Sequence, residues 1–371
     1  MIEKADQNDL EPFRNDDNRL LEQVEAIVEQ RRAAGLEGLV GDLDCVIVNT
    51  EPDHHQGATE ELLRYTGYEC ADVFLDALSA TAVLRVEDSA DMLVRSRANG
   101  ANPFADVNRA PRTEGLPNTR LETYVFETTD LESYVAIQKS RNIAFLTDKP
   151  IRTDNFLYIQ TPPSPLTGNA TGFIEWHGER NNYRTPGSRP LDCPIPKPDA
   201  PHLRNIGTLD HAATRVRAEH RDPAVLEFMN LTSYVFAFAI HVPTLNSITN
   251  VARLPDAKFA LVFTSGISPF VSHESSGPTE RFIENYGTRT HHLAYVTQDI
   301  DDTFAHLKQD GLGFLSELVG SPEEGLKQAF CDPSPHTLLV NEYIHRFGGF
   351  DGFFTEHNVT RLTEATRKQV A

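Results

Sequence analysis

Three separated stretches carry side chains that could bind one metal ion together. His211 lies in "IGTLDHAATRV", His292 in "THHLAYVT", and Glu342 interrupts the apolar run "HTLLVNEYI". A carboxylate among apolar neighbours usually requires a compensating cation. Two histidines and one carboxylate on separate strands are typical of non-haem Fe(II) sites, whereas zinc favours histidine or thiolate tetrahedra and magnesium favours oxygen ligands. The pattern therefore indicates a ferrous iron site in the C-terminal half.

The same residues also allow a purely structural interpretation. His211 and His292 could be hydrogen-bonded core histidines, and Glu342 could pair with Arg346. Because side chains alternate between the two faces of a strand, His291 and His292 are predicted to point in opposite directions. His291 is then left with either a role beside the metal ligands or no role.

An internal repeat supports the metal interpretation. The stretch "GDLDCVIVN" at 41–49 resembles "GTLDHAATR" at 207–215, and "GFIEWHGER" resembles "LLVNEYIHR". The alignment matches three landmarks: Cys45 with His211, Thr123 with His292, and Glu175 with Glu342. Their separations are 78 and 52 residues in the first half and 81 and 50 in the second. Shared spacing predicts a duplication in which the first half keeps the glutamate but binds no metal.

Each half repeats one order of elements. A short strand precedes a helix with a good N-cap residue, Asp130 in one half and Asp299 in the other, and Gly311 supplies a helix stop. Further strand-like runs follow, which gives a β-α-β-β-β rhythm. The predicted organisation is an N-terminal extension (1–37) that contains a helix (16–34), a first domain (38–180), a proline-rich linker (181–204) and a second domain (205–371).

Composition excludes several function classes. The chain of 371 residues has a net charge of −20, which argues against binding to nucleic acid or to an anionic membrane. It contains no apolar run long enough to span a bilayer, and its acidic first 20 residues resemble neither a signal nor a transit peptide. No dinucleotide-binding, P-loop or serine-elbow motif occurs, so no cofactor beyond iron is expected. The dispersed cysteines predict reduced thiols in a cytoplasmic protein: Cys45, Cys70, Cys193 and Cys331.

The second half resembles the 4-hydroxyphenylpyruvate dioxygenase and hydroxymandelate synthase family of the vicinal oxygen chelate superfamily. "TLDHAAT", "HHLAY" and "VNEYIHR" correspond to the family's metal-ligand motifs, so the triad maps onto His211, His292 and Glu342. The likeness covers residues 38–360 in layout, with the specific motifs between 206 and 354. It implies an α+β protein with the vicinal oxygen chelate (glyoxalase/bleomycin-resistance-like) fold, built as four βαβββ modules in two tandem open barrels.

The resemblance also implies substrate contacts. "LNS", "LKQAF" and "GGFDGFF" match family motifs, the last of which leads into a C-terminal lid helix. The family's usual glutamine before the second histidine is His291 here. Aromatic rings would clamp the substrate tail, and polar groups would bind its substituents. The implied substrate-binding residues are Asn246, Ser247, His291, Gln328, Phe330 and Phe354.

What the resemblance implies for activity is an Fe(II)-dependent dioxygenase. It would decarboxylate an arylpyruvate-like 2-oxo acid and hydroxylate the same molecule with O₂, in a dimer or tetramer. An extradiol catechol dioxygenase is an alternative, and it would require His291 or His273 with Tyr295 as acid and base. A non-enzymatic small-molecule-binding protein of the same superfamily is a third possibility, although such a protein has no reason to keep a complete triad.

Overall fold

The computed structural model describes residues 13–192, 195–350 and 352–369. The first 12 residues of the expected extension and Cys193 lie outside this range, and so do Asp351 and the last two residues. Within the described range, two large mixed sheets carry most of the chain.

The first sheet contains nine strands from the N-terminal half. Its order is β6-β7-β8-β5-β1-β4-β3-β2-β9. The strand bounds are β1 Val40–Thr50, β2 Glu69–Leu75, β3 Ser79–Arg85, β4 Asp91–Arg97, β5 Arg120–Thr128, β6 Ile151–Arg152, β7 Phe156–Gln160, β8 Ala170–Trp176 and β9 Arg189–Pro190. The short strand β9 lies in the proline-rich stretch and pairs with β2 at the edge of this sheet.

The second sheet contains eight strands from the C-terminal half. Its order is β11-β12-β13-β10-β14-β17-β16-β15. The strand bounds are β10 Ile206–Arg215, β11 Val235–Val242, β12 Ser247–Arg253, β13 Ala260–Ser265, β14 Arg289–Thr297, β15 Val319–Ser321, β16 Leu326–Phe330 and β17 Val340–Arg346.

The helices pack around these sheets. Their bounds are α1 Asp17–Ala34, α2 His55–Tyr65, α3 Leu131–Ser140, α4 Arg221–Leu231, α5 Pro278–Tyr286, α6 Ile300–Gln309 and α7 Glu356–Ala365. Asp130 caps α3 by accepting from Ser133 N at 2.9 Å, as predicted. Asp299 precedes α6, but its backbone is left-handed (φ 44°) and its side chain makes no cap hydrogen bond, so that part of the prediction is wrong.

Strand pairing shows the duplication directly. In each half, two central antiparallel strands are flanked by parallel partners: β1 and β5 by β4 and β8, and β10 and β14 by β13 and β17. Cys45 lies opposite Val125 in the first half, as His211 lies opposite Ala294 in the second. The predicted equivalence of Cys45 and His211 is therefore confirmed by the register.

The third landmark of the repeat is wrong. Glu342 lies beside Ala294, two residues after His292, whereas the equivalent position beside Val125 is occupied by Gly172. Glu175 lies three residues further along β8 and accepts a hydrogen bond from the N-terminus of α3. A Cβ at position 172 would lie 3.0 Å from side-chain atoms of neighbouring residues, so a larger side chain there would have to push these neighbours aside. The first half thus lacks the glutamate as well as both histidines.

The two halves share a tight interface. Tyr124 on β5 makes a 2.7 Å hydrogen bond to the Thr290 hydroxyl on β14. Helix α1 packs on α4 of the other half, where the buried Arg31 donates to three backbone carbonyls near the end of α4, at 2.8–2.9 Å. The contact to Thr290 holds β14, which carries the predicted ligand His292, against the first half.

Candidate metal centre

Three neighbouring strands bring the predicted ligands together. His211 projects from β10, His292 from β14 and Glu342 from β17, and these strands are adjacent in the second sheet. Glu342 Oε2 lies 3.1 Å from His211 Nε2 and 3.3 Å from His292 Nε2. One potential ligand atom from each residue lies within 4.8 Å of the others. The three groups are thus close enough to bind one common ion.

His211 is oriented by its neighbour Asp210. The Nδ1 of His211 lies 2.7 Å from Asp210 Oδ2, and Arg346 pairs with the same carboxylate at 2.5 and 3.1 Å. Burial alone would raise the pKa of Asp210, but these hydrogen bonds lower it to about 2. Arg346 thus pairs with Asp210 and not with Glu342, which contradicts the structural interpretation of that glutamate.

A β-bulge places both adjacent histidines at the same site. Ala213 pairs with His292 and Thr214 with Thr290, so His291 is the extra residue of β14. A bulge interrupts the alternation of side chains along a strand. The prediction that the two rings point in opposite directions is therefore wrong. His291 Nδ1 lies 2.9 Å from His292 Nδ1, and both rings line one cavity.

Hydrogen bonds to His291 determine which nitrogen of His292 is free. His291 Nε2 lies 2.8 Å from Gln369 Oε1, which can only accept a hydrogen bond. Burial lowers the pKa of His291 well below its ordinary value, so the ring is neutral and accepts at Nδ1. His292 then carries its hydrogen on Nδ1, which leaves the Nε2 lone pair directed toward Glu342. This is the tautomer that a metal ligand requires.

A chain of amides positions Glu342. Gln328 on β16 donates through Nε2 to Glu342 Oε1, and its own Oε1 accepts from Asn358 Nδ2 at 2.9 Å. All three side chains are buried. Both ends of the Gln328 amide are therefore engaged within the protein. Its expected hydrogen bond to substrate stays a prediction, since the side chain also lines the cavity.

A narrow cavity of about 50 Å³ adjoins the three ligands and is covered by α7. Phe330 lies beside His292 with the ring planes tilted and the centroids 4.7 Å apart, and Phe354 lies edge-on to His211 at 5.1 Å. Of the six residues expected to bind substrate, four line this cavity: His291, Gln328, Phe330 and Phe354.

The structure does not bring the other two expected residues to the cavity. Asn246 occupies a left-handed turn, and its amide makes hydrogen bonds to Ser268. Ser247 lies behind the wall, with its hydroxyl 3.4 Å from that of Thr279, which does line the cavity.

The sequence analysis does not predict several residues that contribute to the site. Asp210 could have been found because it directly precedes His211, and Arg215 because it lies four residues after His211 on the same strand face. Asn358 and Gln369 carry no such signal, since only folding brings the C-terminal segment over the second sheet.

The donor set fits ferrous iron. His211 Nε2 is buried and has no hydrogen-bond partner among the described residues, although a carboxylate oxygen lies beside it. Burial alone would lower the pKa of His211, but Glu342 and Asp210 outweigh burial and raise it to about 9. The carboxylates thus favour a positive charge at this position. Two imidazole nitrogens and one carboxylate oxygen are the ligand types of the non-haem iron triad.

Comparisons with known proteins place the fold. No protein-family model matches the chain, and no curated protein sequence matches it. A mutant of 4-hydroxymandelate synthase from Streptomyces coelicolor superposes with a TM-score of 0.65 at 15% identity, covering 90% of this chain and 100% of that one. A fusion of a xylose isomerase-like TIM barrel with 4-hydroxyphenylpyruvate dioxygenase gives 0.63 at 14% identity, covering 94% of this chain and 58% of the fusion.

The chain has the vicinal oxygen chelate fold. Two tandem pairs of βαβββ modules form its two sheets, as expected, and the predicted triad lies in the second pair. Vicinal oxygen chelate modules thus account for the layout of both halves. Within the described residues, none of the helices combines the length and the hydropathy that a bilayer crossing requires.

Proposed function

We propose that this vicinal oxygen chelate protein is an Fe(II)-dependent dioxygenase that decarboxylates a 2-oxo acid of the arylpyruvate type and hydroxylates the same molecule. The observation that carries the proposal is the convergence of His211, His292 and Glu342 in a buried cavity. Structural similarity to hydroxymandelate synthase and to a hydroxyphenylpyruvate dioxygenase fusion supports this choice among iron chemistries.

The residues around the triad prepare it for one ion. When bound, Fe(II) supplies a Lewis acid with open positions for a chelating oxo acid and for O₂. Asp210 and His291 hold each imidazole with Nε2 unprotonated toward that ion, and Gln328 fixes the Glu342 carboxylate. Such outer contacts determine ligand orientation and basicity.

The cavity wall provides the remaining functions. Phe330 lies beside His292 and Phe354 beside His211. From these positions the two aromatic rings can hold an apolar part of the substrate against the site. Helix α7 borders the cavity through Val359, Leu362 and Thr363, and such a cover limits the access of water to a bound substrate. Because the cavity volume of about 50 Å³ is small, we expect α7 to move outward when a substrate binds.

The experiment is anaerobic loading of the full chain with Fe(II), followed by iron analysis and oxygen-electrode assays with a panel of 2-oxo acids. One iron per chain is expected, with O₂ uptake matched by CO₂ release. His211→Ala should lose the iron, whereas the exposed-histidine control His273→Ala should retain it. Absence of stoichiometric iron, or binding that survives His211→Ala, would refute the proposal.

The two alternatives have distinct outcomes in the same assays. An extradiol enzyme would turn catechols into yellow products, but its expected partner Tyr295 does not line the cavity among the described residues. A non-enzymatic binding protein would bind a small molecule, but no 2-oxo acid would cause O₂ consumption. The predicted oligomeric state, dimer or tetramer, remains to be measured by light scattering.

A further inference from the structure

The cavity of the metal centre contains a buried positive charge without a counterion. Arg215 ends β10, is 4% exposed and lines the cavity together with the triad. Its guanidinium packs over the ring of Phe282 at 4.3 Å, and its Nη1 has no hydrogen-bond partner. Within the described residues no carboxylate lies in ion-pair distance of it. Among the polar side chains around the triad, Asp210, His291 and Gln328 have hydrogen-bond partners within the protein, whereas Arg215 keeps a buried nitrogen without one.

An unpaired buried guanidinium is costly, because burial removes its hydration without supplying an anion. Burial lowers the pKa of Arg215 to about 9, which still leaves the group charged at neutral pH. Arginine is the favoured side chain where a planar fork of donors must bind a carboxylate or phosphate. The location within the cavity indicates that the missing partner belongs to a bound molecule.

Strand register shows what surrounds the guanidinium. Arg215 pairs with Thr264 on β13, which pairs with Thr249 on β12, and all three side chains line the cavity. They form one polar row across three adjacent strands. Thr279 adds a third hydroxyl-bearing side chain to Thr249 and Thr264 in the same cavity. A guanidinium flanked by hydroxyl groups is suited to a carboxylate or a similar oxyanion.

An apolar row separates this polar row from the metal ligands. Ala213 and Val262, which pair across β10 and β13, lie between the row of His211 and the row of Arg215. Four residues of extended strand correspond to about 13 Å between the Cα atoms of His211 and Arg215. The cavity is thus graded along β10: a chelating end, an apolar middle and a cationic end.

Charge balance points the same way. A ferrous ion and the Glu342 carboxylate together carry one positive charge, and Arg215 adds a second, while Asp210 and Arg346 neutralise each other. A monoanionic 2-oxo acid would leave one positive charge buried. A substrate with two anionic groups would leave none.

From this arrangement, and resting on the proposed function, we infer that the substrate is a dianion: a 2-oxo acid whose apolar body ends in a second acidic group bound by Arg215 and the threonine row. The chelating head would lie at the triad, and the body would cross Ala213 and Val262. The preferred compound class is therefore an acid-substituted arylpyruvate or a similar oxo diacid, and not an unsubstituted arylpyruvate.

The test compares phenylpyruvate with 4-carboxyphenylpyruvate, which carries one additional carboxylate at the end of the ring, using iron-loaded wild type and Arg215→Met. The wild-type kcat/KM should favour the carboxylated compound. Arg215→Met should reduce that preference by about 50-fold or more, since one partner of a buried ion pair is removed. Arg215→Lys should retain part of it. Arg281→Met, which removes the same charge from neighbouring helix α5 outside the cavity, should leave the preference unchanged.

A second readout does not depend on turnover or iron. Benzene-1,4-dicarboxylate should raise the thermal midpoint of metal-free wild type but not of Arg215→Met. Without ligand, Arg215→Met should unfold at the wild-type temperature or above it, because the substitution removes an uncompensated buried charge. A purely structural arginine would give the opposite result, a clear loss of stability.

The outcomes separate this inference from the proposed function. Turnover of phenylpyruvate with no charge preference, or with a preference unaffected by Arg215→Met, overturns the inference and leaves the function in place. If no 2-oxo acid is consumed but the dicarboxylate stabilises wild type through Arg215, the function fails and the anion site stands. If the dicarboxylate gives no Arg215-dependent shift and no oxo acid is consumed, both are refuted.

Discussion

Asp210 offers a sharp test of the metal centre because the first half of the chain contains its counterpart. Asp210 directly precedes His211, and Asp44 directly precedes Cys45 at the equivalent position of β1. Both carboxylates are buried and hydrogen-bonded. Only Asp210 directly precedes a predicted metal ligand. Asp210→Asn and Asp44→Asn are therefore isosteric changes that differ in their relation to the metal.

The expected effect of Asp210→Asn follows from its hydrogen bond to His211 Nδ1 at 2.7 Å. A hydrogen bond to a charged group contributes about 1.5–3 kcal/mol, which corresponds to roughly 10–150-fold in an equilibrium constant. Substitutions of residues behind metal ligands typically cost about 10–100-fold in affinity. The two ranges agree, so we expect the Kd for Fe(II) to rise about 10–100-fold. Anaerobic competition against a colorimetric chelator measures this directly.

Asp44→Asn should leave the iron affinity unchanged. Asp44 accepts hydrogen bonds from Trp176 Nε1 at 2.8 Å and from the Tyr183 hydroxyl at 3.0 Å, so its substitution should lower thermal stability instead. Equal Kd values for wild type and Asp210→Asn would refute the orienting role of Asp210. An equal weakening by both variants would show that the loss reflects general destabilisation.

Two predictions concern stability. Burial raises the pKa of Glu280 from 4.5 to about 7, so native protein retains a proton that the unfolded chain has lost, and stability falls as pH rises through about 7. Glu280→Gln should remove up to about 3 kcal/mol of this fall, measured by urea unfolding at pH 5 and pH 8, and parallel pH profiles would refute it. Arg31→Met should destabilise by about 3 kcal/mol, because three buried carbonyls lose their donor, whereas the exposed Arg32→Met should change stability by less than about 0.5 kcal/mol. Equal midpoints for the two arginine variants would contradict the role of Arg31 in fastening α1.

The ligand triad could be predicted because residue type and position carry its signal. A lone glutamate in an apolar strand, and histidines at repeated landmarks, are unusual enough in letters alone to mark the site. The alternating modules were equally readable, since caps and apolar periodicity are local properties. The helix at Asp17–Ala34 coincides with the predicted 16–34 for the same reason.

What depends on pairing between strands could not be read from the sequence. The bulge at His291 exists only in the register of β14 against β10, and no residue type announces it. Sequence similarity aligns Glu175 with Glu342 through the shared residue type, whereas parallel strand pairing places Gly172 at the equivalent position. The isolation of Arg215 is equally invisible, since the absence of a counterion is a property of three-dimensional surroundings.

The seam between the two halves has an evolutionary consequence. Thr290 is one residue from the bulge, and its hydroxyl is held by Tyr124 at 2.7 Å and by Asn169 at 3.2 Å, both from the half without ligands. Arg120 of that half also reaches the backbone of Thr288. The half without the predicted ligands thus positions the strand of the other half that carries His291 and His292. The two halves are therefore constrained together, because a substitution at Tyr124 or Asn169 would also change the support of the strand that carries the histidines.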